Sequence, residues 1–234
     1  MKISFISPFC NLLENFTSIS MLNRANEKGI VQYDFFDLFS FSNDSNGRID
    51  DYPYGGGDGM ILKAQPIYDA YNEAISRMSS KFRVIYPTPD GEMLSTNIAK
   101  DLAGEDNLIF ICGHYKGIDQ RVRDDIITDE ISIGDYVLTG GELPSCVIAD
   151  SIVRLVPGVL NSIESAKTDS FYDGLLDSPY YTRPEEYNGL RVPDILMSGN
   201  HKKIEEWKKN KKEEKTKLKR PDLYKKYIKD KIKR

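Results

Sequence analysis

Few residues of this chain have the types and spacing that catalysis usually requires. His114 and His201 lie far apart in the sequence, G-x-S-x-G is absent, and no His/Cys cluster has metal-ligand spacing. These absences argue against nucleophilic serine or cysteine catalysis and against metal-assisted hydrolysis. A polar group remains around the stretch that follows Val156, namely Arg154, Glu164, Thr168 and Asp169. Spacing alone is also compatible with purely structural roles, in which Arg154 forms a salt bridge and Asp169 caps a turn.

Glycine-rich loops are the clearest indication of binding. PTPDG (87–91), CGHYKG (112–117) and LTGGELP (138–144) each follow a predicted strand. In an open parallel sheet, ligands bind outside the carboxyl ends of the strands, so these loops are predicted to surround one small molecule. G-x-x-x-x-G-K-[ST] and a G-x-G-x-x-G between strand and helix are both absent, which argues against a phosphate cradle. An adenosine without phosphates fits better, since glycine lets backbone approach a base; the alternative is that each glycine only serves a turn.

The elements that must position these loops alternate between strand-like and helix-like runs. Strands are predicted at 3–7, 31–36, 82–86, 108–112 and 131–138, and helices around 17–27, 65–78, 95–102, 119–127 and 143–156. This alternation predicts an α/β fold with a mostly parallel sheet and helices on both faces. The polar stretch after Val156 predicts a linker, and YTRPEEY predicts a helix with Thr182 as its cap and Pro184 in its first turn.

The composition is that of a globular protein that does not enter membranes. Hydrophobic residues make up 40% and aromatic residues 11% of the 234 positions, enough for one large or two modest domains. No window stays apolar long enough to span a bilayer, and the first segment, MKISFISPFCNLLENF, is typical of a strand. The three cysteines form no C-x-x-C pair, so a reducing cytoplasm is the expected location.

Charge is distributed unevenly along the chain. Residues 201–234 carry 16 Lys and Arg against 6 Asp and Glu, whereas the first 200 carry 16 against 30. The basic stretch predicts either solvated helices, with Glu205–Lys209 and Glu213–Lys217 pairs, or a surface that faces nucleic-acid phosphates. The packed side of such helices would consist of Ile204, Trp207, Leu218, Leu223, Tyr227 and Ile228.

Several segments together resemble one family. PYGGGDGM, CGHYKGIDQRV, SIGDYVLTGGELP, DSIVRLVPGVL, SAKTDSFYDGLLDSPYYTRP and VPDILMSGNH are similar, in order and spacing, to segments of the bacterial tRNA (guanine-N1)-methyltransferases, the TrmD family of the SPOUT superfamily. The likeness extends from residue 1 to about 207. It implies a SPOUT-like sheet domain with a trefoil knot, a homodimer, and methyl transfer from S-adenosylmethionine to N1 of tRNA guanosine 37, next to the anticodon and after another guanosine.

The resemblance also implies a domain organisation and roles for individual residues. It implies a cofactor-binding methyltransferase domain at 1–160, an interdomain linker at 161–175 and a small helical, basic tRNA-binding domain at 176–234. Asp169 would be the base that removes the N1 proton, and Arg154 would stabilise negative charge on O6. The implied cofactor-binding residues are Pro89, Gly113, Ile133, Gly134, Asp135, Tyr136, Val137, Leu138, Gly140, Gly141 and Pro144. A requirement for Mg²⁺ is implied as well, although the sequence contains no ligand cluster for it.

This chain departs from the family pattern at three positions. His114 and Lys116 stand where CGRYEGID has arginine and glutamate, and Asp58 stands where proline is common. Lys116 thereby reverses a charge beside the predicted cofactor loop. Two other functions stay open, a non-catalytic RNA-binding or scaffold protein and a related knotted methyltransferase that acts on another RNA atom. Arg154, Asp169 and the loop glycines favour an enzyme, and the DSF..GLLDSP.YTRP segment favours guanosine N1 as the target.

Overall fold

The computed structural model describes residues 1–78, 81–160 and 168–232. The chain divides into two compact units, Met1–Asn161 and Ser162–Arg234. The predicted site residue Glu164 lies outside the described residues. The functions that the resemblance implies for domains 1–160 and 176–234, and for the linker 161–175, stay predictions.

The first unit is built around a parallel sheet. Its main strands are β1 (Lys2–Ser7), β2 (Gln32–Asp37), β5 (Phe82–Met93), β6 (Asn107–Ile111) and β7 (Asp129–Ser132), and a short antiparallel pair consists of β3 (Asp50–Asp51) and β4 (Ile61–Leu62). Its helices are α1 (Cys10–Thr17), α2 (Ser20–Glu27), α3 (Ala64–Ser76), α4 (Thr96–Leu102), α5 (Gln120–Ile126) and α6 (Glu142–Val153), with a 3₁₀ turn at Leu38–Phe41. The strand order is β2-β1-β6-β5-β7, and each pairing in this sheet is parallel. The predicted α/β class with a mostly parallel sheet is confirmed.

Both faces of this sheet are covered, as the continuous apolar strands require. Successive side chains of a strand point to opposite faces, so Phe5 and Ile6 of β1 enter different clusters. Phe5 stacks on Phe110 at 5.2 Å in the cluster that includes residues of α1, α2, α4 and α6. Ile6 belongs to the opposite cluster, with residues of α3 and α5. Full burial of such a side chain contributes about 1.5–3 kcal/mol.

Three predicted elements of the first unit differ clearly from the structure. The strand predicted at 82–86 continues to Met93 and includes the predicted PTPDG loop, where its pairing with β7 shifts register between Pro87 and Glu92. The strand predicted at 131–138 ends at Ser132, because Gly134 takes φ +150° and Tyr136 N donates to Gly134 O at 2.9 Å, which turns the chain.

The helix predicted at 17–27 corresponds to α2 (Ser20–Glu27), and the end of the first segment, predicted as part of a strand, forms a separate helix, α1 (Cys10–Thr17). Thr17 ends α1, its hydroxyl donating to Leu13 O at 2.9 Å, and α2 starts at Ser20, which has φ +53°.

The second unit contains a hairpin and three helices among its described residues. These elements are β8 (Glu186–Tyr187), β9 (Leu190–Arg191), α7 (Asp194–Met197), α8 (His201–Lys219) and α9 (Pro221–Ile232). The helix predicted at YTRPEEY is wrong. Asn188 and Gly189 have φ +53° and +75°, the conformation of a two-residue hairpin turn, and this turn directs the segment into β8 and β9.

The two predicted basic helices are present as α8 and α9. Of the predicted packed side, Trp207 and Tyr227 are half-buried, but Leu218 is 80% exposed. Glu205 pairs with Lys208 at 2.9 Å, one residue before the predicted partner Lys209. Both i,i+3 and i,i+4 neighbours share a helix face, so the sequence pattern could not distinguish the two partners.

Residues 169–178 fold onto α8 within the second unit. Leu175 is 2% exposed, and Leu176 N donates to the hydroxyl of the fully buried Thr216 at 2.8 Å. Lys212 Nζ lies 2.7 Å from Asp173 Oδ2. This part of the predicted linker is therefore anchored to the basic helix.

Candidate functional site

The irregular segment Pro87–Asp90 within β5 and the loops that follow β6 and β7 surround one cavity of about 470 Å³. We call this cavity the pocket. The predicted cofactor residues that line it are Pro89, Gly113, Ile133, Gly134, Tyr136, Val137, Leu138, Gly140, Gly141 and Pro144. Asp135, the remaining predicted residue, is exposed and is not part of the lining. The volume is in the usual range for a site that takes one small organic molecule.

Glycine is required where two of the loops meet. Gly141 N donates to Gly113 O at 2.8 Å, and a Cβ on Gly141 would lie 2.8 Å from Gly113 N and 2.9 Å from Cys112 Cα. A Cβ on Gly113 would lie 2.9 Å from the ring of Tyr86. The close approach of these backbones fixes the wall of the pocket at the start of α6.

A hydrogen-bonded network lies directly behind this wall. Glu142, the first residue of α6, is 4% exposed and accepts a hydrogen bond from Ser7 Oγ at 2.6 Å. Its other oxygen lies 2.7 Å from His114 Nε2. A Cβ on Gly140 would overlap that same nitrogen. The first strand, the CGHYKG loop and the GGELP loop are thus joined at one buried carboxylate, which burial makes costly to leave unpaired.

The opposite wall carries a second set of charges. Arg123 lies over the ring of Tyr86, 5.3 Å from its centroid, and pairs with Asp90 at 2.9 Å and Glu130 at 2.8 Å. The hydroxyl of Thr88 donates to Asp90, and this bond, followed by the contact with Arg123, lowers the pKa of Asp90. Burial raises the pKa of Tyr86, which stays a neutral phenol. The arginine is therefore held by two carboxylates and an aromatic face.

The thiol next to the pocket is not poised for nucleophilic chemistry. Cys112 is fully buried, and burial raises the pKa of its thiol well above the usual value. Burial also raises the pKa of Cys146 to about 12. Both residues are protonated at neutral pH, whereas cysteine nucleophiles act as thiolates.

The predicted catalytic residues lie in different units. Arg154 caps the carboxyl end of α6 and is half-buried, and its N–H donates to Asp150 O at 3.2 Å. Asp169 is half-buried in the turn that is anchored on α8, where its carbonyl accepts from Tyr172 N at 3.4 Å. Thr168 is exposed in the same segment. Their catalytic roles stay predictions.

The described ranges 1–78, 81–160 and 168–232 contain no group of three or more His, Cys, Asp or Glu side chains placed to hold a metal ion. The requirement for Mg²⁺ stays a prediction. In the same ranges, no helix has the length and apolar character needed to cross a membrane.

Sequence reasoning missed Tyr86, Arg123 and Glu142 as parts of this site. Glu142 directly follows the double glycine, and this position could have indicated that it belongs to the site. Tyr86 and Arg123 meet across 37 residues of sequence, and no local pattern indicates such a contact.

A parallel α/β sheet with an apolar, glycine-lined pocket at its strand ends is typical of proteins that bind a small organic cofactor or substrate there. The sequence profile described as tRNA (Guanine-1)-methyltransferase TrmD matches residues 1–226. The chain belongs to this family and is a methyltransferase. The resemblance noted in its motifs is thereby confirmed; the trefoil knot stays a prediction.

Individual relatives cover nearly the whole chain. The tRNA (guanine-N(1)-)-methyltransferase of Lachnospira eligens is 48% identical over 98% of this chain and 97% of its own length. The enzyme of the same name from Bacillus subtilis is 50% identical, with coverages of 96% and 93%. That of Clostridioides difficile is 48% identical, with coverages of 97% and 98%.

Proposed function

We propose that this protein transfers a methyl group from S-adenosylmethionine to N1 of guanosine 37 of tRNA, next to the anticodon. Membership of the TrmD family supports a tRNA guanine as the substrate. The observation that carries the choice of cofactor is the pocket of about 470 Å³, in which two glycine loops and the segment Pro87–Asp90 meet without a phosphate-binding motif.

The pocket fits the adenosine part of this cofactor. Ile133 and Leu138 supply apolar surface, and the backbones of Gly113 and Gly141 lie at hydrogen-bonding distance from each other at the wall. Backbone groups at such a wall can read the edge of an adenine base. When bound, S-adenosylmethionine supplies a methyl group on a sulfonium, which is electrophilic.

Asp169 and Arg154 would act on the guanine. N1 carries a proton at neutral pH, so a carboxylate must accept it as the nitrogen becomes nucleophilic, and Asp169 is assigned this role. Negative charge then develops on O6, where the guanidinium of Arg154 would stabilise it. Alignment of the two reactants supplies the remaining part of the rate enhancement.

The second unit is proposed to hold the tRNA. Lys209 and Lys217 of α8 are exposed, and residues 201–234 carry the surplus of positive charge. Such a surface binds RNA phosphates with release of counterions. The anchored turn of residues 169–178 would keep Asp169 in the unit that binds the substrate.

A homodimer in the cytoplasm is the proposed form of the enzyme. Apolar side chains are exposed around the pocket loop and on α6: Tyr136 is 54%, Val137 82%, Leu143 53% and Val147 46% exposed. Leu143 and Val147 are four residues apart and share a helix face. Exposed apolar surface of this kind marks a protein interface.

The test is methylation of unmodified tRNA that carries guanosine at positions 36 and 37, with labelled S-adenosylmethionine. We expect label in N1-methylguanosine after nucleoside digestion, and loss of turnover in Asp169→Asn with cofactor affinity retained. Asp230→Asn, on the exposed side of α9, is the matched control and should retain activity. Appreciable turnover by Asp169→Asn would refute the role of the base. Label in another nucleoside, or in none, would refute the proposed reaction.

A further inference from the structure

Within the described part of the chain, the pocket lining contains one ionic side chain that no described group neutralises. Arg123 is paired with Asp90 and Glu130, and His114 is hydrogen-bonded to Glu142. Lys116 also lines the pocket, and it has no carboxylate within salt-bridge distance among residues 1–78, 81–160 and 168–232. Its ammonium is thus available to a ligand.

Lys116 is exposed, but its backbone and stem contact the neighbouring loop. Lys116 N donates to Met60 O at 3.0 Å, so the backbones of the PYGGGDGM and CGHYKG loops are joined. The aliphatic stem lies over Gly59, whose φ is +99°; a Cβ there would lie 3.1 Å from Cγ and 3.2 Å from Cε of the lysine. A stem supported in this way loses less conformational entropy on binding than a free lysine.

We propose that Lys116 binds the carboxylate of the amino-acid part of the cofactor and thereby determines which adenosine compounds the pocket accepts. This inference rests on the proposed function. The reasoning is one of charge and position: a compact ammonium at the edge of an apolar pocket pairs with an anion at the end of a ligand whose base lies inside. An adenosine compound that lacks the carboxylate would gain nothing from this residue.

The experiment compares two ligands in calorimetric titrations of the full chain. S-adenosylhomocysteine has the amino-acid carboxylate, and 5′-methylthioadenosine lacks the amino-acid part. We expect Lys116→Met to weaken binding of S-adenosylhomocysteine by about tenfold, since a charge-assisted hydrogen bond is lost, and to change that of 5′-methylthioadenosine less than about twofold. Lys116→Arg should restore most of the loss. Lys28→Met, at the exposed end of α2, should match the parent for both ligands.

Every other outcome would contradict the assignment of Lys116 to the carboxylate of the cofactor. Equal losses for the two ligands would mean that Lys116 only shapes the pocket, and no loss would mean that it does not contact the ligand. Unchanged binding of S-adenosylhomocysteine with weakened binding of tRNA would assign the ammonium to an RNA phosphate instead. If the parent protein binds neither ligand, the proposed cofactor itself is wrong; if the parent binds both, only the role of Lys116 is at stake.

Discussion

Substitution of Gly141 by alanine tests how the pocket wall is built. The added Cβ would lie 2.8 Å from Gly113 N and 2.9 Å from Cys112 Cα. Both atoms belong to backbone, so no side chain can rotate away to relieve the contact. The two loops must move apart by about 0.6 Å or more to reach ordinary van der Waals distances.

The expected cost follows from that displacement. The bond from Gly141 N to Gly113 O, now 2.8 Å, would lengthen to about 3.4 Å and leave the normal range of N–H···O distances. Loss of one such bond costs about 1 kcal/mol, and overpacking adds about 1–3 kcal/mol. A destabilisation of about 2 kcal/mol or more corresponds to roughly 30-fold weaker binding of a ligand that needs the closed wall.

Two measurements check this prediction. Calorimetric titration with S-adenosylhomocysteine gives the affinity, and thermal unfolding gives the change in stability, which we expect to be a decrease of roughly 4–8 °C in Tm. Gly104→Ala is the control, because that glycine is exposed after α4 and its Cβ would meet only Asp101 O at 3.3 Å. An affinity within twofold of the parent together with an unchanged Tm would refute the reasoning.

Three further predictions concern charge. Glu142→Gln keeps the size of the buried side chain but removes its charge, so the free energy of unfolding should fall by about 1–2 kcal/mol in denaturant titrations; an unchanged value would mean that the network behind the pocket adds no stability. Lys209→Gln combined with Lys217→Gln should reduce the slope of log affinity for tRNA against log salt by about 0.7–0.9 per lost phosphate contact, whereas an unchanged slope would exclude these lysines. Thr88→Val should raise the pKa of Asp90. Because the native pKa is lowered, the associated loss of stability should be present at pH 7 and should disappear as pH falls below about 4; a loss that is independent of pH would contradict this linkage.

The sheet could be predicted because its strands carry their own pattern. The sequence runs that form β1 and β6 are short and apolar. Glycine loops follow β6 and β7 at their carboxyl ends. By contrast, the alternation of apolar and polar residues from Ile131 to Leu138 is typical of a strand, but the strand ends at Ser132. The chain turns there because of the φ of Gly134, which a hydrophobic pattern does not indicate. The hairpin of the second unit had a local indication, Asn188–Gly189, that was outweighed by Thr182 and Pro184.

The candidate site was predictable where it depends on backbone and unpredictable where it depends on distant side chains. The double glycine Gly140–Gly141 indicates a close approach of two backbone segments from the sequence alone. The pairing of Ser7 with Glu142 joins positions 135 residues apart, and it exists only because the first strand and the start of α6 meet at the same end of the sheet. The catalytic roles of Arg154 and Asp169 are predictions that rest on the family resemblance, because no local pattern of residue types indicates them.

The buried hydroxyl of Thr216 has a practical consequence for genetics. Removing the basic carboxyl-terminal helices would expose Leu175 and take away the partners of Leu176 and Asp173, so the turn that begins at Asp169 would lose its support. With Asp169 as the proposed base, an allele truncated before α8 is expected to lose activity whether or not its lysines bind RNA. Point changes on the exposed lysines are therefore needed to separate substrate affinity from chemistry.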